Sequence, residues 1–212
     1  MLAFVALSLL TVSRSANAEE IGSWASSAAA ELTRQGREHA KDGDDALAVR
    51  RFADAVRLDP SFGPAYLDLA AARERAGDFV EAERTYGVAI EHVPSFVAAF
   101  RARAALLRKM GETAREVADL EHLTRIAGGP DTLRALAARY VEDRAWPAAL
   151  ATFRRLRMLA EQSGDEQLLR ETTVQVRALG VLCGELDPVV AGAGDRDWVR
   201  RAVASVARRR GM

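Results

Sequence analysis

The chain has 212 residues, 49% of them hydrophobic but only 6% aromatic, which is enough to bury one packed domain and too apolar for a disordered tail. Its 30 basic and 30 acidic residues cancel, so no global electrostatic pull toward nucleic acid exists. Gly and Pro are scattered, no low-complexity tract is present, and the richness in Ala, Leu, Arg and Glu predicts an all-α chain. Lys41 and Lys109 are the only lysines. An Arg bias suits carboxylate or phosphate recognition through the guanidinium fork, although a GC-rich bacterial genome yields it without selection and is the preferred explanation.

Residues 1–18 read as a separate object. Leu2 to Val12 form an apolar run, and the polar stretch after it ends in Ala16-Asn17-Ala18, the small-x-small pattern that signal peptidase accepts. Cleavage is expected before Glu19, giving a periplasmic or secreted mature chain. No Lys or Arg precedes the run, so the basic start of an export signal is missing. The run is too short to span a bilayer comfortably, and no Cys near the cleavage point offers a lipid attachment. Cys183, the single cysteine, has no internal disulfide partner and reads as a small packed residue.

From residue 29 onward a pattern recurs. Ala48, Phe52, Ala55 and Pro60 return 34 residues later as Ala82, Tyr86, Ala89 and Pro94, then as Glu116, Leu120 and Leu123, and one residue short of the period as Ala149, Phe153 and Leu156. A fixed period of this size marks a helical repeat protein. Small residues such as Gly36 with Ala48, and Ala70 with Ala82, let paired helices approach, and Phe52, Tyr66 and Tyr86 fill the space beside them. Gly43-Asp44, Gly77-Asp78 and Gly111-Glu112 close first helices, because Gly accepts a left-handed C-terminal position and the acid suits the next helix's positive end. Asp59-Pro60 and Val93-Pro94 stop second helices. In the fourth unit Arg144-Ala145-Trp146-Pro147 is the expected turn, with Pro147 in the first turn of the following helix.

On these residues the chain resembles the tetratricopeptide repeat family. The units are 29–62, 63–96, 97–129 and 130–163; the best match is the second, through Tyr66, Leu69, Ala70, Gly77, Ala82, Tyr86, Ala89 and Pro94, with Arg73 where a Tyr is usual. The resemblance covers about two thirds of the chain and implies an α-solenoid of four helix hairpins. Residues 164–212 are read as an atypical helical cap. In it Leu169, Thr173, Val176, Leu179, Cys183 and Leu186 lie on one long helix ended by Asp187-Pro188, and Trp198, Val199, Val203 and Val206 lie on a last one.

No signature of chemistry appears. His39, His92 and His122 stand in no metal-ligand spacing, and there is no HExxH, Walker, GxSxG or Cys-based zinc pattern. A non-enzymatic chain without cofactor or metal is expected. The resemblance implies a groove lined by the first helices that holds an extended peptide or a partner helix. Its positions here are Thr33, Arg37 and Lys41; Leu67, Ala71, Glu74 and Arg75; Arg101, Ala105, Arg108 and Lys109; and Arg134, Ala138 and Glu142. The basic set Arg37, Lys41, Arg75, Arg101, Arg108, Lys109 and Arg134 points to an acidic or carboxylate-ended segment of another protein. The competing expectation is that these side chains are solvated or pair with Glu74 and Glu142. Asp68, Ala98 and Ala102 replace the Asn and basic residues of the chaperone-tail-binding members. Three other roles stay open: envelope assembly through the ends or convex face, a regulatory subunit of an enzyme complex, and self-association through Trp24 and Trp198.

Overall fold

The structure is a computed structural model that describes the backbone of residues 2–186 and 201 and the side chains of residues 22–186 and 201. Among the described residues there are nine α-helices and no strand: α1 (Leu2–Lys41), α2 (Asp45–Leu58), α3 (Gly63–Arg75), α4 (Phe79–His92), α5 (Val97–Met110), α6 (Thr113–Ile126), α7 (Pro130–Glu142), α8 (Trp146–Ser163) and α9 (Glu166–Leu182). No described helix is long and apolar enough to cross a membrane. The side chains of the apolar run, the expected last helix with Trp198, Val199, Val203 and Val206, and the stop at Asp187-Pro188 fall outside the described residues.

Two compact units divide the chain, Met1–Glu112 and Thr113–Met212. The division lies between α5 and α6, inside the third repeat. In the first unit α1 packs on α2 and α3, α3 on α4 and α5, and α4 on α5. First helices α1, α3 and α5 therefore stand side by side in one layer, with α2 and α4 behind them. In the second unit α6 packs on α7, α7 on α8, and α8 on α9.

The recurring residues form the core. Phe52, Tyr86, Leu120 and Phe153 are all buried on second helices, and Ala48, Ala82 and Ala149 are fully enclosed. At Gly36 a Cβ would sit 2.5 Å from the Phe52 ring, and at Gly63 one would sit 2.6 Å from Phe96. Those glycines are there because a ring occupies the space a side chain would need. In the second unit one continuous cluster runs from Leu133 and Ala137 through Phe153 and Leu156 to Leu168, Val176 and Leu179, with half-buried Cys183 packed against it. Burial first, then the charge of Glu185, raises the Cys183 thiol pKa.

The turns obey the expected chemistry. Gly43, Gly77 and Gly111 have φ of 82°, 84° and 78°. At the second turn Asp78 N donates back to the Arg73 carbonyl at 2.9 Å, closing the helix end. In the fourth hairpin Arg144 takes the same left-handed place with φ 56°, and Ala145 N donates to the Tyr140 carbonyl at 2.8 Å. Arg144 stands 33 residues after Gly111, so the turn geometry survives the loss of its glycine at a steric cost. α8 then opens at Trp146 with a proline in its first turn. Asp44 and Asp78 sit at the N-caps of α2 and α4 without a side-chain hydrogen bond. They act there through charge alone.

Where the repeat departs from its pattern, polar contacts replace packing. Arg73 donates to the Thr85 hydroxyl and to the Glu81 carbonyl at 3.2 Å, bridging α3 and α4. Glu116, standing where other units have Ala, is 3% exposed and lies 3.6 Å from the Arg139 guanidinium of α7. Arg139 also donates to Thr113 at 2.7 Å, to Asp143 at 2.7 and 3.1 Å and to Glu142 at 3.2 Å. Burial opposes the charge on Arg139, but the hydrogen bond to Asp143 and the charges of Asp143, Glu116 and Glu142 outweigh it and raise its pKa. Asp59, 8% exposed, accepts from Ser26 of α1 at 2.5 Å and from Ser61 Oγ at 2.6 Å and N at 2.9 Å. The Ser26 bond, then the Ser61 bond, lowers its pKa. α1 is thereby tied to the connector between α2 and α3.

One expectation fails at the end of α9. The helix stops at Leu182, with Gly184 left-handed at φ 71°, rather than running to Pro188. Leu186 is not helical. Its N donates to the Gly180 carbonyl at 3.1 Å, and its side chain fills the space where a Gly180 Cβ would stand. The spacing fits a helix because a chain that folds back over a small residue also returns an apolar side chain to the same face.

Two substitutions separate these effects in thermal or urea unfolding. Gly36→Ala forces the Phe52 ring to move and is expected to destabilise the chain by about 1–3 kcal/mol. Arg144→Gly relieves the left-handed strain and is expected to stabilise it by roughly 1 kcal/mol. A Gly36→Ala chain as stable as wild type would contradict the close-approach packing, and a destabilised Arg144→Gly chain would contradict the strained turn.

Candidate functional site

The layer α1–α3–α5 presents most of the residues expected to line a groove. Arg37 and Lys41 lie four apart on α1, while Arg101, Arg108 and Lys109 stand on one helical stripe of α5, the latter two at seven and eight residues from the first. All five are exposed. Arg37 Nε donates to Asp68 Oδ2 of α3 at 2.7 Å. Lys109 Nζ donates to Glu74 Oε2 at 2.9 Å, and the other Glu74 oxygen accepts from the Tyr86 hydroxyl at 2.9 Å. Tyr86 is nearly enclosed. Burial first, then the hydrogen bond to Glu74 and the charges of Glu74 and Asp68, push its phenol far above the ordinary value, so it stays a neutral donor.

The remaining cations differ in their surroundings. Arg75 Nη2 bonds Asp45 of α2 at 3.0 Å, both side chains half exposed. Arg101 and Lys41 make no hydrogen bond or ion pair among the described residues. In the second unit Arg134 lies 3.6 Å from Asp131 and 4.0 Å from Glu171, loose contacts on an exposed face.

Some expected lining positions are not surface. Thr33 is 2% exposed and donates its hydroxyl to the Ala29 carbonyl at 2.8 Å; Ala138 is 5% exposed. Both belong to the core, because a small side chain on a first helix is also what lets a neighbour approach. Leu67, Ala71 and Glu74 are half-buried, and Glu142 is exposed but bound to Arg139. Sequence reasoning misses Asp68 as a groove partner: in sequence it stands out only as a departure from the chaperone-tail pattern, yet it orients Arg37. A signal is present, since Asp68 shares an α3 face with half-buried Ala71 and Arg75 at spacings of three and seven.

The three histidines have different surroundings. His92 stacks on Tyr66 with ring centroids 6.1 Å apart, His122 Nδ1 lies 3.2 Å from Arg125 Nη2, and His39 is half-buried. Among the described residues no group of three or more His, Cys, Asp or Glu is placed to hold a metal ion. Glu121 of α6 accepts from Tyr140 at 2.5 Å; burial, then this bond and the Glu121 charge, push the Tyr140 phenol up to about 12.

No family model matches the sequence, and no curated protein matches it. Solved structures share the fold. A tetratricopeptide repeat protein from Parabacteroides merdae aligns with a TM-score of 0.59 at 18% identity, over 87% of this chain and 74% of that one. YrrB, a tetratricopeptide protein with an unusual peptide-binding site, aligns at 0.56 and 12% identity, over 84% and 89%. MamA from Desulfovibrio magneticus RS-1 aligns at 0.55 and 14% identity, over 87% and 97%.

Proposed function

We propose that this chain, whose fold is the all-α tetratricopeptide-repeat fold, is a non-enzymatic interaction module that holds an acidic, extended segment of another protein on the α1–α3–α5 face. The observation that carries the reading is the pair Arg101 and Lys41, exposed on that face without an ion pair among the described residues. Two cations left with only water gain from a partner carboxylate what their neighbours already have. YrrB, of the same fold, carries a peptide-binding site, which supports peptide as the class of ligand. The apolar run and the Ala16-Asn17-Ala18 pattern support export, so the partner is sought in the cell envelope. An envelope scaffold working through the ends or the opposite face is the alternative.

Export is checked by the intact mass of the chain recovered from the periplasmic fraction of a bacterial host, where loss of residues 1–18 is expected; retention of them removes the envelope assignment. Binding is checked by fluorescence anisotropy of the full chain with a fluorescein-labelled peptide of alternating glutamate and serine. Affinity is expected to fall with added salt and to drop at least tenfold, about 1.4 kcal/mol, in the Lys41→Glu, Arg101→Glu variant. Undiminished binding by that variant would move the site to the ends or the opposite face.

A further inference from the structure

We infer that Asp68 is a positioning residue that holds Arg37 as a carboxylate-binding fork, and that Arg37 with Lys41 anchors the acidic segment at the α1 edge of the face; this rests on the function proposed above. A guanidinium carries five N–H donors, one on Nε and four on the two Nη atoms. Asp68, 31 residues along the chain on the neighbouring helix, takes the Nε donor at 2.7 Å. Among the described residues the four Nη donors make no hydrogen bond. The Arg37 side chain is 55% exposed and that of Asp68 only 26%. The acid therefore grips the guanidinium from the less exposed side and leaves its Nη1–Nη2 edge, a two-donor edge that matches a carboxylate's two oxygens, for a ligand.

Lys41 stands one turn further along the same face of α1, with Cβ atoms about 6 Å from those of Arg37 on helical spacing. A carboxylate on the fork therefore lies within reach of a second, uncommitted cation. Two other basic groups on the face are already committed. Lys109 is a point charge already bound to Glu74, and Arg75 spends Nη2 on Asp45. The ligand group that fits is a side-chain carboxylate of Asp or Glu.

The test uses the same labelled glutamate–serine peptide and the full chain. Arg37→Lys keeps the charge and loses the fork; Asp68→Ala loses the grip and also removes a negative charge, which by electrostatics alone would tighten anion binding. Each is expected to weaken binding at least fivefold, with an unchanged melting temperature and, for Arg37→Lys, an unchanged salt dependence. Asp68→Asn, whose amide oxygen still accepts from Nε, is expected to retain binding to within twofold. Tighter binding by Asp68→Ala, or Arg37→Lys binding as wild type does while Lys41→Glu, Arg101→Glu abolishes it, overturns the fork and leaves the broader reading intact. A wild-type chain that does not prefer the acidic peptide to its serine-only counterpart overturns the broader reading, and the fork with it.

Discussion

Two helices in a hairpin approach only as closely as the smallest side chain between them allows, and every other feature of this chain depends on that approach. Gly36 against the Phe52 ring is its tightest instance, and Gly63 gives the same room to Phe96, the residue that opens α5. Ala48, Ala82 and Ala149 apply the same rule with a methyl group. Close approach turns a weakly apolar sequence into a sealed core: a fully buried ring contributes roughly 2–3 kcal/mol by area alone, but only when no gap remains beside it. With an aromatic content of 6%, the chain reaches density by fitting few rings against many small residues.

The third repeat breaks this rule and compensates with charge. Glu116 puts a carboxylate where other units put a methyl, and an unpaired charge at 3% exposure would cost several kcal/mol. α7 answers with Arg139, and Glu142 and Asp143 hold the guanidinium in place. Such a cluster adds little net stability compared with apolar packing, yet it penalises any register of α6 on α7 that separates its charges. One of the two units that depart most from the repeat pattern therefore adds an ion pair to the buried leucines between it and its neighbour. Arg73 with Thr85 adds a hydrogen bond between α3 and α4.

The fold is legible in the sequence because its determinants are periodic. Glycine at 43, 77 and 111 and an aromatic or Leu at 52, 86 and 120 recur every 34 residues, with Phe153 one residue short of that step, and each recurrence corresponds to one physical demand, a left-handed turn or a filled gap. What escapes is aperiodic. The Arg37–Asp68 and Lys109–Glu74 pairs join residues 31 and 35 apart, separations that depend on side-chain rotamers rather than on the repeat. The family resemblance places Thr33 in the groove beside Arg37, whereas its hydroxyl satisfies itself on the Ala29 carbonyl and permits burial. Arg144 is legible as part of a turn but not as the residue bearing the positive φ, since only the backbone reveals which side chain tolerates it.

The ion pairs along α1, α3 and α5 are half exposed, and pairs of that kind contribute about 0–1 kcal/mol each. Stability therefore does not explain their arrangement. Their geometric effect is larger: Asp68 and Glu74, both on α3 and both the less exposed partner, hold cations that originate on the helices at either side. Long side chains otherwise lose roughly 2 kcal/mol of rotamer freedom when a ligand fixes them. Cations already held by a neighbour have met part of that loss before any partner arrives. Under the proposed function, a face so arranged favours a ligand that adds its carboxylates to the existing pairs over one that must break them, because breaking a pair returns the side chain to the disorder from which its neighbour had removed it.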